Sequence, residues 1–104
     1  MQKVLIDTFV VPEESSAQFL DRARKVQSFL KALPGFVEGF LYENKEGESR
    51  YNYMTTAVWE NEEAFENAKK AVAAEFKKQG VDPREATKKL NIESVRAVYE
   101  RSPY

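Results

Sequence analysis

The sequence predicts an α+β domain in which two amphipathic helices pack on one face of a four-stranded antiparallel sheet. Two segments carry most of this prediction. Residues 33–36, with the sequence LPGF, end a helical pattern and begin a strand. Residues 59–65, with the sequence WENEEAF, end a strand and begin a second helix. The interval between the two segments is long enough for a β-hairpin and little else.

The first half of the chain predicts one strand and one helix. Residues 4–11 are rich in Val, Ile, Thr and Phe, which is typical of a buried strand, and Pro12 ends it. Ser15 and Gln18 have the spacing of a capping box at a helix start. Pro34 ends the helix. Its apolar stripe consists of Phe19, Leu20, Ala23, Val26, Leu30 and Leu33.

The hairpin follows directly. Residues 36–43 predict the second strand and residues 44–48 the loop, with Gly47 in the left-handed conformation. Residues 50–59 predict the third strand, because aromatic and β-branched side chains alternate there. One side of this strand carries Tyr51, Tyr53, Thr55, Ala57 and Trp59.

The last part of the chain predicts two helices and a strand. Asn61 can cap the second helix, whose apolar stripe is Ala64, Phe65, Ala68, Val72 and Phe76. Pro83 begins a short third helix that ends near Asn91, and Glu85 has the spacing for a capping box. Residues 92–100 form the last strand. The order β-α-β-β-α-(α)-β is the ferredoxin-like plan, with residues 1–104 as one domain and both main helices on one sheet face.

The second face of the sheet has no helix to cover it. The first strand is apolar on both sides, and the second and third strands carry aromatic residues on one side and aliphatic residues on the other. We therefore expect a homodimer formed through the sheet faces.

Composition excludes several kinds of chemistry. The chain has no Cys and no His, which excludes disulfides, thiolate nucleophiles, zinc fingers and histidine bases. Its net charge is −1, with 16 basic and 17 acidic residues spread along the chain, so neither a nucleic-acid nor a membrane partner is expected. No segment is apolar enough for a signal peptide or a membrane span. We expect a cytoplasmic protein.

The segments at 33–36 and 56–65 resemble the antibiotic biosynthesis monooxygenase family, and the resemblance extends over about residues 4–76. It implies a dimeric α/β barrel. It also implies an oxidoreductase that uses no cofactor and acts on a small aromatic or quinol-like compound. In such enzymes the substrate supplies the electrons, and the protein contributes positioning, desolvation and a proton acceptor.

A haem-degrading branch of the same family uses an Asn, a Trp and a His. In an alignment without gaps, the Asn position of that branch corresponds to Asp7 or Thr8 of this sequence, the Trp position to Ala68 and the His position to Lys78. None of the three residue types is retained. The resemblance therefore disfavours haem degradation. Trp59 is the tryptophan at the strand end and not the catalytic one of that branch.

Asp7 is the candidate catalytic residue, because it is the one ionisable side chain inside the first strand. A carboxylate among apolar neighbours loses hydration, which favours proton uptake and suits a general base. The alternative is an ion pair with Arg96 or Arg22, or a position at an exposed strand end. Tyr53 and Trp59 are the candidate substrate-binding residues; Tyr51 is a weaker candidate, and all three would otherwise pack in the core or an interface.

Other charged groups are weaker candidates. The acidic residues at the start of the second helix are explained by their attraction to the positive end of the helix dipole. We therefore expect no metal site there. Arg22, Arg50 and Arg96 could hold an acidic group of a substrate, but ion pairing or solvation is the simpler role for each.

Two functions from other classes remain open. The same order of elements builds RNA-recognition motifs, but the glycine expected after Arg50 is absent. The balanced net charge of −1 also does not indicate a basic surface that would bind phosphate. The stronger alternative is a non-catalytic protein that binds a small ligand or regulates, since fold alone does not confer activity.

Overall fold

The computed structural model describes residues 1–104 and confirms the ferredoxin-like α+β fold. The four strands pair antiparallel in the order β2-β3-β1-β4. The elements are β1 (Lys3–Val10), a 3-10 turn (Glu13–Ser15), α1 (Ser16–Lys31), β2 (Phe36–Glu43), β3 (Tyr53–Trp59), α2 (Glu62–Gln79), α3 (Pro83–Lys89) and β4 (Glu93–Tyr99). None of the helices combines the length and the apolar character needed to cross a membrane.

The two segments that predicted the fold contact each other. Gly35 adopts a left-handed φ of 80°, and its carbonyl oxygen accepts a hydrogen bond of 2.9 Å from the Glu60 amide. The rings of Phe36 and Trp59 pack edge to face with centroids 5.3 Å apart. The exit from α1 is thereby joined to the start of α2.

The start of α1 differs from the prediction. Ser15 has helical backbone angles (φ −101°, ψ −4°) and its side chain makes no capping hydrogen bond, so the predicted capping box is wrong. The Ser15 hydroxyl instead donates to the carbonyl oxygen of Leu90 at 2.8 Å. A capping side chain needs an extended backbone at its own residue. Ser15 belongs to the 3-10 turn that follows Pro12, so its backbone is not extended.

The third strand begins three residues later than predicted, at Tyr53. In the preceding segment, side-chain hydrogen bonds add to two backbone ones, from the Asn44 amide to the Asn52 carbonyl oxygen and from the Asn52 amide to the Phe9 carbonyl oxygen, both at 2.9 Å. The Asn52 side chain accepts from the Val11 amide and donates to the Val11 carbonyl oxygen, both at 2.8 Å. The Asn44 side chain donates to the Tyr51 carbonyl oxygen at 3.2 Å. Residues 44–52 therefore form a tied loop.

The core lies between the sheet and the helices and consists of two clusters. The first cluster contains Leu30, Ala57, Trp59, Ala64, Phe65 and Ala68. The second cluster contains Val11, Phe19, Tyr53 and Ile92. The opposite side of the sheet, called the open face below, is not covered. Its residues include Val4, Ile6, Phe40, Tyr42, Met54, Val58, Val95 and Tyr99, of which Phe40 and Tyr99 are more than half exposed.

Candidate functional site

Asp7 lies in the middle of β1 on the side of the sheet that faces the helices. Its register partners are Thr55 on β3 and Arg96 on β4. The guanidinium of Arg96 donates to both carboxylate oxygens, from Nε at 2.8 Å and from Nη2 at 3.0 Å. The Asp7 side chain is 14% exposed and that of Arg96 is 67% exposed. The ion pair is therefore buried at its carboxylate end and open to solvent at its guanidinium end.

This pair forms part of a polar belt between the two core clusters, defined as Asp7, Gln27, Thr55 and Arg96. Asp7 separates Leu5 of the first cluster from Phe9 of the second. The pKa of Arg96 is raised, chiefly by its hydrogen bonds to Asp7. The belt thus places a charged pair between two apolar clusters.

Gln27 brings a second acceptor to the belt from α1. Its Nε2 donates to the Thr56 carbonyl oxygen at 3.3 Å, which fixes the orientation of the amide. Its Oε1 is buried and has no hydrogen-bond partner. A Cβ on Gly39 would lie 2.8 Å from this oxygen, so the glycine makes room for the amide. An unsatisfied buried acceptor is uncommon and marks a place where a water or a ligand hydroxyl would be favourable.

Trp59 lies within the first core cluster. It is 2% exposed and packs against Phe36 at the end of β3. In this structure it joins the sheet to α2. Neither the concavity at the loop end of β2 and β3 nor the one on the open face beside Phe40 and Tyr99 is lined by Trp59 or by Asp7.

Tyr53 lies in the second core cluster and also reaches an open concavity. Its ring is 5.1 Å from that of Phe19. The concavity, called the tyrosine cleft below, has a volume of about 200 Å³ and lies at the loop end of β2 and β3. It is lined by Thr8, Tyr42, Glu43, Asn44, Ser49, Tyr51, Tyr53 and Met54.

The other two candidate arginines have partners within the chain. Arg22 donates to the Thr87 hydroxyl at 3.0 Å, and burial lowers the pKa of its guanidinium. Arg50 pairs with Glu93 and also lies 5.3 Å from the centre of the Tyr51 ring. Of the proposed partners for Asp7, the structure selects Arg96.

The sequence did not single out Gln27, Tyr42 or Glu43. Gln27 is a polar residue within the apolar stripe of α1, between Ala23 and Leu30. A polar residue on the buried side of a helix could have indicated a polar site in the core. Tyr42 and Glu43 lie on opposite sides of β2, and only the observed loop shows that both reach one cleft.

The sequence model of the antibiotic biosynthesis monooxygenase family matches residues 3–78. The chain belongs to the antibiotic biosynthesis monooxygenase family. The match covers β1 through nearly all of α2, and therefore includes Asp7, Tyr53 and Trp59. Among curated proteins, no sequence matches this chain significantly.

Solved structures show how widely this fold is used. SnoaB, a cofactor-independent oxygenase from Streptomyces nogalater, is 20% identical with a TM-score of 0.67, and the match covers 99% of this chain and 95% of SnoaB. A conserved Bacteroides thetaiotaomicron protein of unknown function is 17% identical with a TM-score of 0.72, covering 96% and 97%. The haem-degrading protein MhuD of Mycobacterium tuberculosis is 20% identical with a TM-score of 0.70, covering 95% and 94%. At these identities the likeness establishes the shared fold.

Proposed function

We propose that this protein is a cofactor-independent monooxygenase that oxidises a small aromatic or quinol-like compound, with Asp7 as its proton acceptor. Membership of a monooxygenase family supports the reaction class. The observation that carries the proposal is the Asp7 carboxylate, 14% exposed and located between two apolar clusters. In such surroundings an ionised acceptor acts on a substrate hydroxyl with little competition from water.

The proposed reaction needs only the substrate and dioxygen. Asp7 accepts the proton of a phenolic hydroxyl, and the resulting phenolate passes an electron to dioxygen. Recombination forms a carbon–oxygen bond, and the O–O bond of the peroxide then breaks. A hydroquinone becomes a hydroxyquinone: one oxygen atom enters the ring, and the other leaves as water with two hydrogens from the substrate.

Three further side chains have proposed roles. Arg96 orients the Asp7 carboxylate, because its guanidinium donates to both oxygens. Tyr53 lies on the same side of the sheet as Asp7 and is proposed to contact the substrate ring. Trp59 is also proposed as a substrate contact. Trp59 is 2% exposed, so it could contact a substrate only if α2 moved away from it. Without such a movement, its role is to pack the end of β3 against α2.

Oxygen consumption with a panel of hydroquinones and anthrone-like compounds tests this proposal. We expect Asp7→Asn to lower kcat by about 100-fold or more, which is the usual contribution of a general base. Asp21→Asn is the matched control, because Asp21 is an exposed carboxylate on α1. The proposal is wrong if the wild type consumes no oxygen above buffer, or if Asp7→Asn and Asp21→Asn turn over equally fast.

A second candidate function is binding of a small ligand without turnover. The observation that favours it is the pair of hydrogen bonds from Arg96 to both oxygens of Asp7, which occupies the carboxylate and leaves it less available to a substrate hydroxyl. A bound aromatic compound that is recovered unchanged in the presence of oxygen would favour this function.

Haem degradation finds less support in these residues. The chain has no histidine to ligate haem iron. Ala68 is a buried residue of the first core cluster, and Lys78 is exposed near the end of α2. The shared fold with MhuD is therefore not accompanied by the residue types that the haem-degrading branch uses.

The proposal includes a homodimer formed through the open face. The chain exposes 7580 Å², whereas a monomeric protein of 12.0 kDa exposes about 6,000 Å². The excess of about 1,600 Å² exceeds the roughly 800 Å² that each partner buries in a standard interface. The open face carries the exposed apolar groups that such an interface would cover, among them Phe40 and Tyr99.

Sedimentation equilibrium at micromolar concentration tests the dimer. We expect a mass near twice 12.0 kDa for the wild type. We expect a monomer for Phe40→Glu, because an unpaired charge buried in an apolar interface is strongly unfavourable. Val81→Glu, at an exposed apolar residue between α2 and α3, is the control and keeps the wild-type mass. A wild-type protein that sediments as a monomer contradicts the proposed dimer.

A further inference from the structure

The tyrosine cleft has its own set of ligand-binding groups. Three of its eight lining residues are tyrosines, namely Tyr42, Tyr51 and Tyr53. The Tyr42 side chain lies on the open face beside Met54 and is 47% exposed, whereas the Tyr53 ring packs against Phe19 on the helix side of the sheet. Aromatic rings favour an aromatic guest through edge-to-face and offset contacts, and a free phenolic hydroxyl can donate to it or accept from it.

The remaining polar atoms of the cleft indicate the charge of the guest. The side chain of Asn44 is occupied within the loop: its amide nitrogen donates to the Tyr51 carbonyl oxygen, and its oxygen accepts from the Glu46 amide. Glu43 is the one ionisable acid in the lining, and one of its oxygens lies 3.3 Å from Lys45. Arg50, which precedes Tyr51 in the sequence, is paired with Glu93. The cleft therefore favours a neutral hydroxyl donor over an anion.

The volume sets the size of the guest. An apolar cavity of roughly 150 Å³ accommodates one benzene ring. The tyrosine cleft, at about 200 Å³, accommodates a single ring with small substituents.

The cleft is formed before any ligand arrives, because its loop is tied at three points. Asn44 closes the loop on itself, Arg50 joins it to β4 through Glu93, and Asn52 joins it to Val11. A preformed site does not lose binding free energy to ordering of the loop.

One wall of the cleft is shared with the open face. Tyr42, Met54 and Thr8 are register partners across β2, β3 and β1, and all three point away from the helices. Tyr42 is 47% exposed, so the cleft is open on this side. A second copy on the open face would lie directly beside this gap.

We infer that the tyrosine cleft binds a single-ring, uncharged hydroxylated aromatic compound, and that the second copy of the chain completes its wall. The inference rests on the proposed function for the aromatic class of the ligand and on the proposed dimer for the partner. Ligand binding and dimerisation are then linked, so each strengthens the other by the same factor.

Binding of 4-cresol, a single-ring phenol, tests the site without requiring turnover. We expect amide chemical-shift changes in residues 42–54 during an NMR titration, and weaker binding of 4-methylbenzoate and of the two-ring 2-naphthol. Tyr51→Leu should weaken 4-cresol binding about 3- to 10-fold, the range for loss of one aromatic contact. Tyr104→Leu removes an exposed tyrosine outside the cleft and should leave the affinity unchanged.

The partner's contribution is tested by sedimentation of a dilution series with and without saturating 4-cresol. We expect the dimer dissociation constant to fall about fivefold or more with the ligand bound. An unchanged dimer dissociation constant, or a monomer under both conditions, would show that the second copy does not complete the wall of the cleft. Absence of 4-cresol binding, or equal binding by Tyr51→Leu and the wild type, overturns the site itself. Oxygen consumption with the hydroquinone panel tests the oxygenase proposal separately, because Asp7 does not line the tyrosine cleft.

Discussion

Gly35 and Ala64 lie so close together that a Cβ atom on Gly35 would overlap the Cβ of Ala64. The contact joins the turn after α1 to the first turn of α2. It depends on two properties of glycine at once, the absence of a side chain and a left-handed φ of 80°. The two most informative segments of the sequence are thus two sides of one contact.

Gly35→Ala should lower the free energy of unfolding by about 2–4 kcal/mol, because left-handed strain and steric overlap add. Urea denaturation at neutral pH measures the change. Gly47→Ala is the matched control: Gly47 also has a positive φ, 112°, but a methyl group there would have no other atom within 4 Å. The control should lose only about 1–2 kcal/mol. Equal losses in the two variants would show that the contact with Ala64 is unimportant.

The ion pair between Asp7 and Arg96 should contribute modestly to stability, because Arg96 is 67% exposed. We expect a double-mutant cycle with Asp7→Asn and Arg96→Gln to give a coupling free energy of about 1 kcal/mol. Arg96→Gln alone should cost more than this coupling, because it leaves a mostly buried carboxylate without its partner. A coupling near zero would mean that the pair does not hold Asp7 in place.

Asn61 caps α2, since its side-chain oxygen accepts from the Ala64 amide at 2.8 Å. Asn61→Ala should lower the free energy of unfolding by about 1 kcal/mol, the usual cost of a lost N-cap. Asn67→Ala, at an exposed position in the middle of α2, is the control and should be neutral or slightly stabilising because alanine favours helix. Thermal or urea unfolding of both variants measures the difference.

Two exposed ion pairs should make stability depend on acid pH. Hydrogen bonds from Arg50 and Lys3 hold the pKa values of Glu93 and Glu100 below their usual 4.5. A carboxyl group whose pKa is lower in the folded state stabilises the fold above pH 4.5. That contribution disappears as the pH falls through the lowered pKa.

The double variant Lys3→Gln/Arg50→Gln should therefore be less stable than the wild type at pH 7, and the two should converge once the pH falls below the lowered pKa values of Glu93 and Glu100. Added salt at about 1 M should also narrow the difference at pH 7, since both pairs are exposed to solvent. A difference that persists unchanged at low pH would assign the effect to packing of the long side chains instead.

Much of the fold was predictable because local signals agreed with one another. Asn61, Pro83 and Gly80 end or begin helices as their chemistry requires, and the structure places them so. Ser15 failed as a cap because a tertiary partner, the Leu90 carbonyl oxygen, took its hydroxyl. No local pattern reveals a competitor 75 residues away.

Strand register limited what could be predicted about the site. A bulge between Phe36 and Glu38 turns Phe36 toward Trp59, whereas simple alternation would place it on the same side as Phe40. The composition of the tyrosine cleft was equally hidden, because the course of the loop before Tyr53 decides which residues line it. Asp7, by contrast, was visible as the lone charge in an apolar strand, and Arg96 was one of its two suggested partners.

Isotope labelling of the reaction with ¹⁸O₂ tests the proposed monooxygenase activity most directly. We expect one ¹⁸O atom in the oxidised ring and the other in water, formed by the wild type and Asp21→Asn but not by Asp7→Asn. Oxidised product without ¹⁸O and with stoichiometric hydrogen peroxide would contradict oxygen insertion. A labelled product formed at the same rate by Asp7→Asn would contradict the role of Asp7.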